Sequence, residues 1–182
     1  MKKEKIAKTE KNEKHWERVT QEFAPVCDAD CRVLILGTAP SKKSREVGFY
    51  YGHPQNRFWK MLAAVTGERV PQSIEEKKAL LLRNHIALHD VIHSCDIIGS
   101  SDSSIRNVEP ADLERILAVT GRVAILSNGG TSYKLYRKYQ ESSLGIPAVQ
   151  LPSTSPANAA WYLERLSAAW GEVLLPLLEK GE

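Results

Sequence analysis

The sequence predicts an α/β domain of three layers (α/β/α), in which helices cover both faces of a central, mostly parallel sheet of about four strands. Two observations lead to this prediction. Short runs of consecutive apolar residues, typical of strands buried on both faces, alternate with longer segments in which apolar residues recur at helical spacing. The clearest of the apolar runs also end in glycine, where a loop begins.

Four segments are predicted to be strands. Residues 32–37 (RVLILG) and 122–130 (RVAILSNGG) are continuous apolar runs that lead into glycine. Residues 86–92 (IALHDVI) form a shorter candidate, and the segment 146–156 (IPAVQLPSTSP) is predicted to be a strand followed by a loop. Each strand is separated from the next by at least one predicted helix, which favours parallel neighbours.

Six segments are predicted to be helices. Ser73 is a candidate N-cap ahead of acidic residues, Pro110 suits the first turn of a helix, and Gly67 and Gly121 suit helix ends. A short helix at the edge of the domain is expected in the segment HWERVTQEF. The six predicted helical segments are residues 15–23, 56–67, 73–85, 109–121, 131–142 and 157–180.

The 182 residues, 42% hydrophobic and 26% charged, predict a single domain over residues 15–182. The net charge of +3 comes from residues 1–14, which hold six Lys and three Glu and are predicted to be a basic disordered tail. The remaining 19 basic and 19 acidic residues balance. Any nucleic-acid surface must therefore be a local patch, such as residues 41–45 (SKKSR) or 133–139 (YKLYRKY). A solvated helix face explains the second patch equally well.

No apolar run approaches the length of a membrane span, and no apolar stretch follows the basic N-terminus as in a secretory signal. A cytoplasmic protein is expected. Cys27, Cys31 and Cys95 lack the paired spacing of a metal cluster and are predicted to be reduced structural thiols. The histidines at 85, 89 and 93 lie in a segment of strand character, where that spacing does not build one site. No metal and no cofactor is expected.

Polar residues follow three predicted strands, in the segments 37–41 (GTAPS), 127–130 (SNGG) and 151–159 (LPSTSPANA). Because ligands of parallel sheets bind beyond the carboxyl ends of the strands, these segments are expected to share one crevice. The loop GFYYGHPQNRFWKML (48–62) follows the first of them and is rich in aromatic residues, which suits contact with a flat ligand. The phosphate-binding motif GxxxxGK[ST], the dinucleotide motif GxGxxG and the nucleophile motif GxSxG are absent.

The segments LILGTAPS, GFYYGHPQNRFW and LPSTSPANA, in this order, resemble the uracil-DNA glycosylase superfamily. They are most similar to its hypoxanthine-DNA glycosylase branch, which SDSSIRNVEP also fits. The resemblance implies a monofunctional, monomeric enzyme that flips hypoxanthine out of deoxyinosine in DNA and hydrolyses its N-glycosidic bond in base-excision repair. A uracil- or mismatch-specific glycosylase and a catalytically silent nucleic-acid-binding relative are the alternatives.

Two positions depart from the usual superfamily pattern. Ala39 stands where an Asp or Asn usually positions the attacking water, and Leu151 stands where a His or Asn usually contacts the base. The hypoxanthine branch is similar in lacking the first of these, and relies on an asparagine in a His-Pro-x-Asn segment. The resemblance therefore implies that Asn56 is catalytic and holds the water by its amide oxygen. The other interpretation of Asn56 is a cap of the helix that follows.

Further roles are implied by the same resemblance. Tyr51 is expected to stack on the flipped base, whereas Phe49 and Tyr50 serve either the base or the core. The loop LPSTSPANA is expected to press on the minor groove and a phosphate of the DNA, or it is only a strand-to-helix turn with Ser155 as the helix cap. The implied base-binding residues are Gly37, Thr38, Ala39, Tyr51 and His53, the implied DNA-binding residues are Ser41, Ser153, Thr154 and Ser155, and Asp90 and Asn128 are further candidates for the pocket wall.

Overall fold

The computed structural model describes residues 15–179. Seven strands and seven helices occur in this range. The strands are β1 (Trp16–Thr20), β2 (Val33–Gly37), β3 (Ile86–Asp90), β4 (Ile92–Ile98), β5 (Arg106–Pro110), β6 (Ala124–Asn128) and β7 (Ala148–Leu151). The helices are α1 (Lys42–Val47), α2 (Phe58–Thr66), α3 (Ile74–Arg83), α4 (Glu114–Thr120), α5 (Gly130–Tyr139), α6 (Glu141–Leu144) and α7 (Leu163–Leu178), with a 3₁₀ turn at Asp102–Ser104.

The central sheet has four parallel strands in the order β3-β2-β6-β7. Strand β2 lies inside the sheet and is wholly buried. Its alternate residues enter two separate cores: Ile35 packs with α2, α3 and α7 on one face, and Leu34 packs with α4 and α5 on the other. The predicted α/β/α architecture with about four parallel strands is confirmed.

A second sheet was not predicted. Strands β1, β4 and β5 form an antiparallel sheet in the order β1-β4-β5. The prediction of a helix over residues 15–23 is therefore wrong, because this segment pairs along its length with β4, with Trp16 opposite Ile98. Only Val19 of β1 is buried, and the side chain of Arg18 donates to Ser94 and Glu109. The energy that selects a strand here comes from distant partners and not from local propensity.

Three helix boundaries differ from the prediction. Pro110 closes β5 and does not open a helix, since α4 begins at Glu114. The helix predicted from residue 157 begins at Leu163, after a loop. The segment 131–142 forms two helices that meet at Gln140, whose buried side chain donates to the carbonyls of Val91 and Ala111.

Other local predictions hold. Ser73 caps α3 by accepting from the N–H of Glu76 at 3.1 Å. Cys27, Cys31 and Cys95 are free thiols, and burial raises the pKa of Cys31 to about 12. Within residues 15–179, no helix has both the length and the apolar character needed to cross a membrane. The tail predicted for residues 1–14 lies outside the described residues, so it stays a prediction.

Candidate active site

A cavity of about 370 Å³ opens at the carboxyl ends of the parallel strands. The loops that follow β2 and β7, the end of β6 and the aromatic loop before α2 surround it. All twelve residues singled out in the sequence lie on its wall: Gly37, Thr38, Ala39, Ser41, Tyr51, His53, Asn56, Asp90, Asn128, Ser153, Thr154 and Ser155. The structure thus brings these residues together, whereas their individual roles stay predictions.

The last residue of β2, Gly37, lies where a side chain would collide with the cavity wall. Gly37 lies beside Asp90 in the parallel register of β2 and β3. A Cβ atom at Gly37 would lie 2.4 Å from Asp90 Oδ1 and 2.9 Å from Tyr51 Oη, both well inside contact distance. The carboxyl of Asp90 and the phenol of Tyr51 therefore approach the main chain of β2 closely.

The amide oxygen of Asn56 already has two donors. It accepts from the main-chain N–H of Phe58 at 3.0 Å, next to the start of α2, and from the hydroxyl of Thr154 at 2.9 Å. Both lone pairs of this oxygen are therefore engaged in the structure, and its expected role in holding the attacking water stays a prediction. Its Nδ2 has no hydrogen-bond partner within residues 15–179, so the amide presents a donor and not an acceptor.

A chain of side-chain hydrogen bonds joins three segments of the cavity wall. Thr154 Oγ1 accepts from Asn128 Nδ2 at 3.0 Å and donates to Asn56 Oδ1. The main-chain N–H of Thr154 donates to Asn128 Oδ1 at 3.0 Å. Thr154 is fully buried, so these bonds are shielded from water. The position of Asn56 is therefore set from the end of β6 through the loop after β7.

Arg57 holds the loop between β7 and α7. Its guanidinium donates to four main-chain carbonyls of that loop, those of Thr154, Ser155, Asn158 and Trp161. The main-chain N–H of Arg57 also donates to Thr154 O at 3.1 Å. Sequence reasoning missed this residue, because a helix-opening arginine followed by an amphipathic pattern gives no sign of a partner about a hundred positions away.

The aromatic loop divides between the core and the cavity. Phe49 and Tyr50 are 4% and 2% exposed and belong to the core beneath α2. This favours the packing interpretation for Phe49, whereas Tyr50 packs in the core and also lines the cavity. The Tyr50 hydroxyl lies 2.7 Å from His89 Nδ1. Tyr51 is half-buried, and its ring stacks on Phe58 with centroids 4.1 Å apart and planes 23° from parallel. Its hydroxyl is buried and has no hydrogen-bond partner in residues 15–179.

Asp90 is the buried carboxyl of the cavity. It is 4% exposed, and burial raises its pKa to about 7, although a hydrogen bond from Gln21 lowers it. Gln21 was missed in the sequence because it lies in the segment taken for a helix. The neighbouring His89 has its pKa lowered to about 4 by burial and by His93, so it is neutral near pH 7.

The serines and His53 use part of their hydrogen-bonding capacity within their own loops. Ser153 Oγ accepts from the N–H of Ser155 at 3.1 Å, and Ser155 Oγ accepts from that of Ala157 at 3.3 Å. The Ser41 hydroxyl caps α1 and donates to Ser44. His53 Nδ1 accepts from the N–H of Gln55 at 3.1 Å. Over residues 15–179, no group of three or more His, Cys, Asp or Glu residues is placed to hold a metal ion.

Comparison with known proteins identifies the family. Residues 24–174 match the family model of the uracil DNA glycosylase superfamily. The chain belongs to this superfamily. The predicted fold and family are therefore confirmed.

Two curated relatives and one solved structure match nearly from end to end. A protein of Methanosarcina acetivorans named hypoxanthine DNA glycosylase is 32% identical over 146 residues, which cover 80% of this chain and 92% of the relative. One of Methanosarcina barkeri with the same name is 41% identical over 154 residues, covering 84% and 96%. A solution NMR structure from M. acetivorans, described as a candidate uracil DNA glycosylase, matches with a TM-score of 0.73 and 32% identity over 85% of this chain and 96% of that one.

Proposed function

We propose that this chain is a monofunctional DNA glycosylase that extrudes hypoxanthine from deoxyinosine in DNA and hydrolyses its N-glycosidic bond in base-excision repair. The observation that carries the proposal is the match to two relatives named hypoxanthine DNA glycosylase over more than nine-tenths of their lengths. The cavity supports it, because a buried base must leave the duplex and enter a pocket before its glycosidic bond can be attacked.

The cavity suits one flat base. Its volume of about 370 Å³ lies at the small end of the range for ligand pockets. Phe58 backs one face of the Tyr51 ring, so Tyr51 offers its other face to the extruded base. Base, Tyr51 and Phe58 then form a continuous stack, and stacking on an aromatic ring contributes about 1–3 kcal/mol per base.

Asn56 positions the attacking water through its amide nitrogen. Cleavage passes through a state with oxocarbenium character at the sugar, so the water needs correct placement more than early loss of its proton. Nδ2 donates one hydrogen bond to the water oxygen and leaves a lone pair for the anomeric carbon. Thr154 and the start of α2 hold the other side of the amide. Main-chain N–H groups near Gly37 and Thr38 stabilise the negative charge that develops on the departing base.

The loop after β7 contacts the DNA backbone. Ser153 and Ser155 each retain a hydroxyl hydrogen that can be donated to a phosphate oxygen, because their oxygens act as acceptors in the loop. Arg57 holds this loop in place, which reduces the entropy lost on binding. The proposal also includes a monomeric, cytoplasmic enzyme without a metal or cofactor.

A nicking assay tests the function. Duplexes carrying deoxyinosine, deoxyuridine or deoxyxanthosine are incubated with the protein and excess EDTA, then heated in alkali to cleave abasic sites. We expect cleavage at deoxyinosine above the other two. Stronger cleavage at deoxyuridine would reassign the chain to uracil repair. Retarded bands without cleavage would identify a silent binder, and activity that returns only with added divalent ions would contradict a metal-free reaction.

A further inference from the structure

We propose that Asp90 distinguishes hypoxanthine from adenine by accepting a hydrogen bond from N1–H of the extruded base at its free oxygen Oδ1. Gln21 positions the carboxyl so that this oxygen faces the cavity. The inference rests on the proposed function, because it concerns how the same cavity selects its base.

Asp90 lies at the floor of the cavity. It ends β3, opposite Gly37 in the register of the sheet, and its Oδ1 approaches the Gly37 main chain closely enough to exclude a Cβ atom there. Asn56 and the loop after β7 line the same cavity but are only partly buried, apart from Thr154. A base that enters with its sugar still attached to DNA therefore presents its far edge to Asp90.

The contact with Gln21 leaves one carboxyl oxygen free. Gln21 Oε1 accepts from the main-chain N–H of Phe23 at 2.6 Å, which determines the orientation of the amide. Gln21 Nε2 must then face Asp90, and it donates to Oδ2. The main-chain N–H of Gln21 donates to His93 O at 2.7 Å and ties this segment to β4. Oδ1 has no hydrogen-bond partner within residues 15–179.

The chemistry of the base edge matches this arrangement. A purine is attached to the sugar through its five-membered ring, so the 6-substituent and N1 lie on the opposite edge. Hypoxanthine carries an acceptor oxygen and an N1–H donor there, whereas adenine carries an amine and a bare N1. The main-chain N–H groups of Thr38 and Ala39 donate to no other main-chain group in the described part of the chain, and both residues line the cavity. Donor N–H groups beside an acceptor carboxylate suit hypoxanthine and place like groups against adenine.

The pKa of Asp90 is governed by its burial and by the hydrogen bond from Gln21. Burial raises the pKa values of Tyr50 and Tyr51, so both phenols are neutral at physiological pH. His89 is neutral above about pH 5, and Asp102, whose pKa burial also raises, lines the same cavity from the 3₁₀ turn. Since the pKa of Asp90 is raised to about 7, its carboxyl takes up a proton as the pH falls below that value. A protonated Oδ1 presents an O–H donor to the base edge, which weakens the preference for N1–H.

The first experiment measures base selectivity. Single-turnover cleavage of deoxyinosine and deoxyadenosine duplexes is compared in the parent, in Asp90→Asn and in Asp112→Asn, an exposed control. In Asp90→Asn the side-chain oxygen faces Gln21 and the amide nitrogen, a donor, faces the N1–H donor of the base. Deoxyinosine cleavage should therefore fall roughly 10- to 100-fold. The ratio of deoxyinosine to deoxyadenosine cleavage should fall as well. A folded Asp90→Asn protein that keeps the parent's ratio within about threefold overturns the inference.

The second experiment separates positioning from structure. Gln21→Met removes the donor that lowers the pKa of Asp90, so the pH midpoint of deoxyinosine cleavage should move upward, and Asp90→Asn should show no such midpoint. An unchanged midpoint in folded Gln21→Met overturns the positioning role. Binding of free hypoxanthine and free adenine is measured by calorimetry on the same proteins. A parent that binds hypoxanthine over adenine but cleaves no duplex contradicts the proposed function and leaves Asp90 supported. A parent that cleaves deoxyinosine but binds both bases equally contradicts the role of Asp90 and leaves the proposed function supported.

Discussion

The amide oxygen of Asn56 accepts hydrogen bonds within the fold, and in the proposed reaction its amide nitrogen donates to the attacking water. Asn56→Ala removes both and should reduce the single-turnover rate on deoxyinosine roughly 100-fold, the scale of losing one positioned donor. Affinity for the DNA should change little, since this interaction strengthens in the transition state. Rates and DNA affinities are measured on the same preparation, at a temperature where the variant is folded.

Asn56→Asp is the matched control for the helix start. A carboxylate keeps the acceptor for Phe58 N–H and for the Thr154 hydroxyl, so the melting temperature should stay close to that of the parent. It replaces the Nδ2 donor with an acceptor, so the rate should still fall. Cleavage by Asn56→Asp within about threefold of the parent would restrict Asn56 to capping.

Tyr51 is predicted to act through its ring and not through its hydroxyl. Tyr51→Ala should weaken binding to a duplex with a non-cleavable inosine analogue by about 1–3 kcal/mol, with a smaller loss on undamaged duplex. Tyr51→Phe keeps the ring and loses a buried hydroxyl without a partner, so it should bind like the parent and be at least as stable. Fluorescence anisotropy gives both affinities, and equal losses on the two duplexes in Tyr51→Ala would show a purely structural residue.

At the scale of elements, the loop between β7 and α7 depends on one arginine of the segment before α2. Arg57→Lys replaces a planar fork of five donors by a single ammonium, which cannot reach four carbonyls at once. We expect a loss of about 2 kcal/mol or more in the free energy of unfolding. Hydrogen exchange should quicken in residues 153–161, and affinity should fall on damaged and undamaged DNA alike.

Arg115→Lys on α4 is the control, since Arg115 is exposed and distant from the loop in sequence. Its unfolding free energy and its loop exchange should match those of the parent. Parent-like exchange of residues 153–161 in Arg57→Lys would show that the prolines and serines of the loop hold it without the arginine.

At the scale of the whole molecule, two buried groups give opposite dependences of stability on pH. The pKa of Asp90 rises from 3.8 to about 7 on folding, so the native state holds the extra proton between these values and Asp90 lowers stability as the pH rises. The pKa of His89 falls from 6.5 to about 4, so the unfolded state holds that extra proton and stability rises with pH. Between about pH 4 and 6.5 the two slopes oppose each other.

Asp90→Asn removes the pH dependence of stability that Asp90 contributes. Relative to the parent, the variant should gain stability as the pH rises from about 4, reaching a plateau above about 7 on the order of 2–4 kcal/mol. Urea unfolding at several pH values measures the difference, with Asp112→Asn at an exposed position as the control variant. If the difference in unfolding free energy between Asp90→Asn and the parent stays constant from about pH 4 to 7, burial does not raise the pKa of Asp90.

Some elements of the fold were predicted correctly from the sequence, and others were not. The apolar run of β2 predicted a doubly buried strand correctly, and Ser73 and Gly67 marked a helix start and a helix end correctly. The family resemblance implied the residues of the cavity wall, and three of their loops meet because they follow strands that share one edge of a parallel sheet. The antiparallel sheet was missed because β1 has one buried residue in five and pairs with a strand, β4, that lies about 80 residues away.

The sequence by itself determined the parallel sheet and its two helical layers, since buried strands and amphipathic helices carry their period in neighbouring residues. The family came from the resemblance of three motifs in their order along the chain. Only the tertiary structure decided which polar atoms meet. Asn56 bonds Thr154 across 98 positions, and Gln21 bonds Asp90 across 69. Those contacts decide which atom of Asn56 is free and which oxygen of Asp90 faces the cavity. No local pattern encodes them, because hydrogen bonds between distant loops depend on where the packed elements place the loop ends.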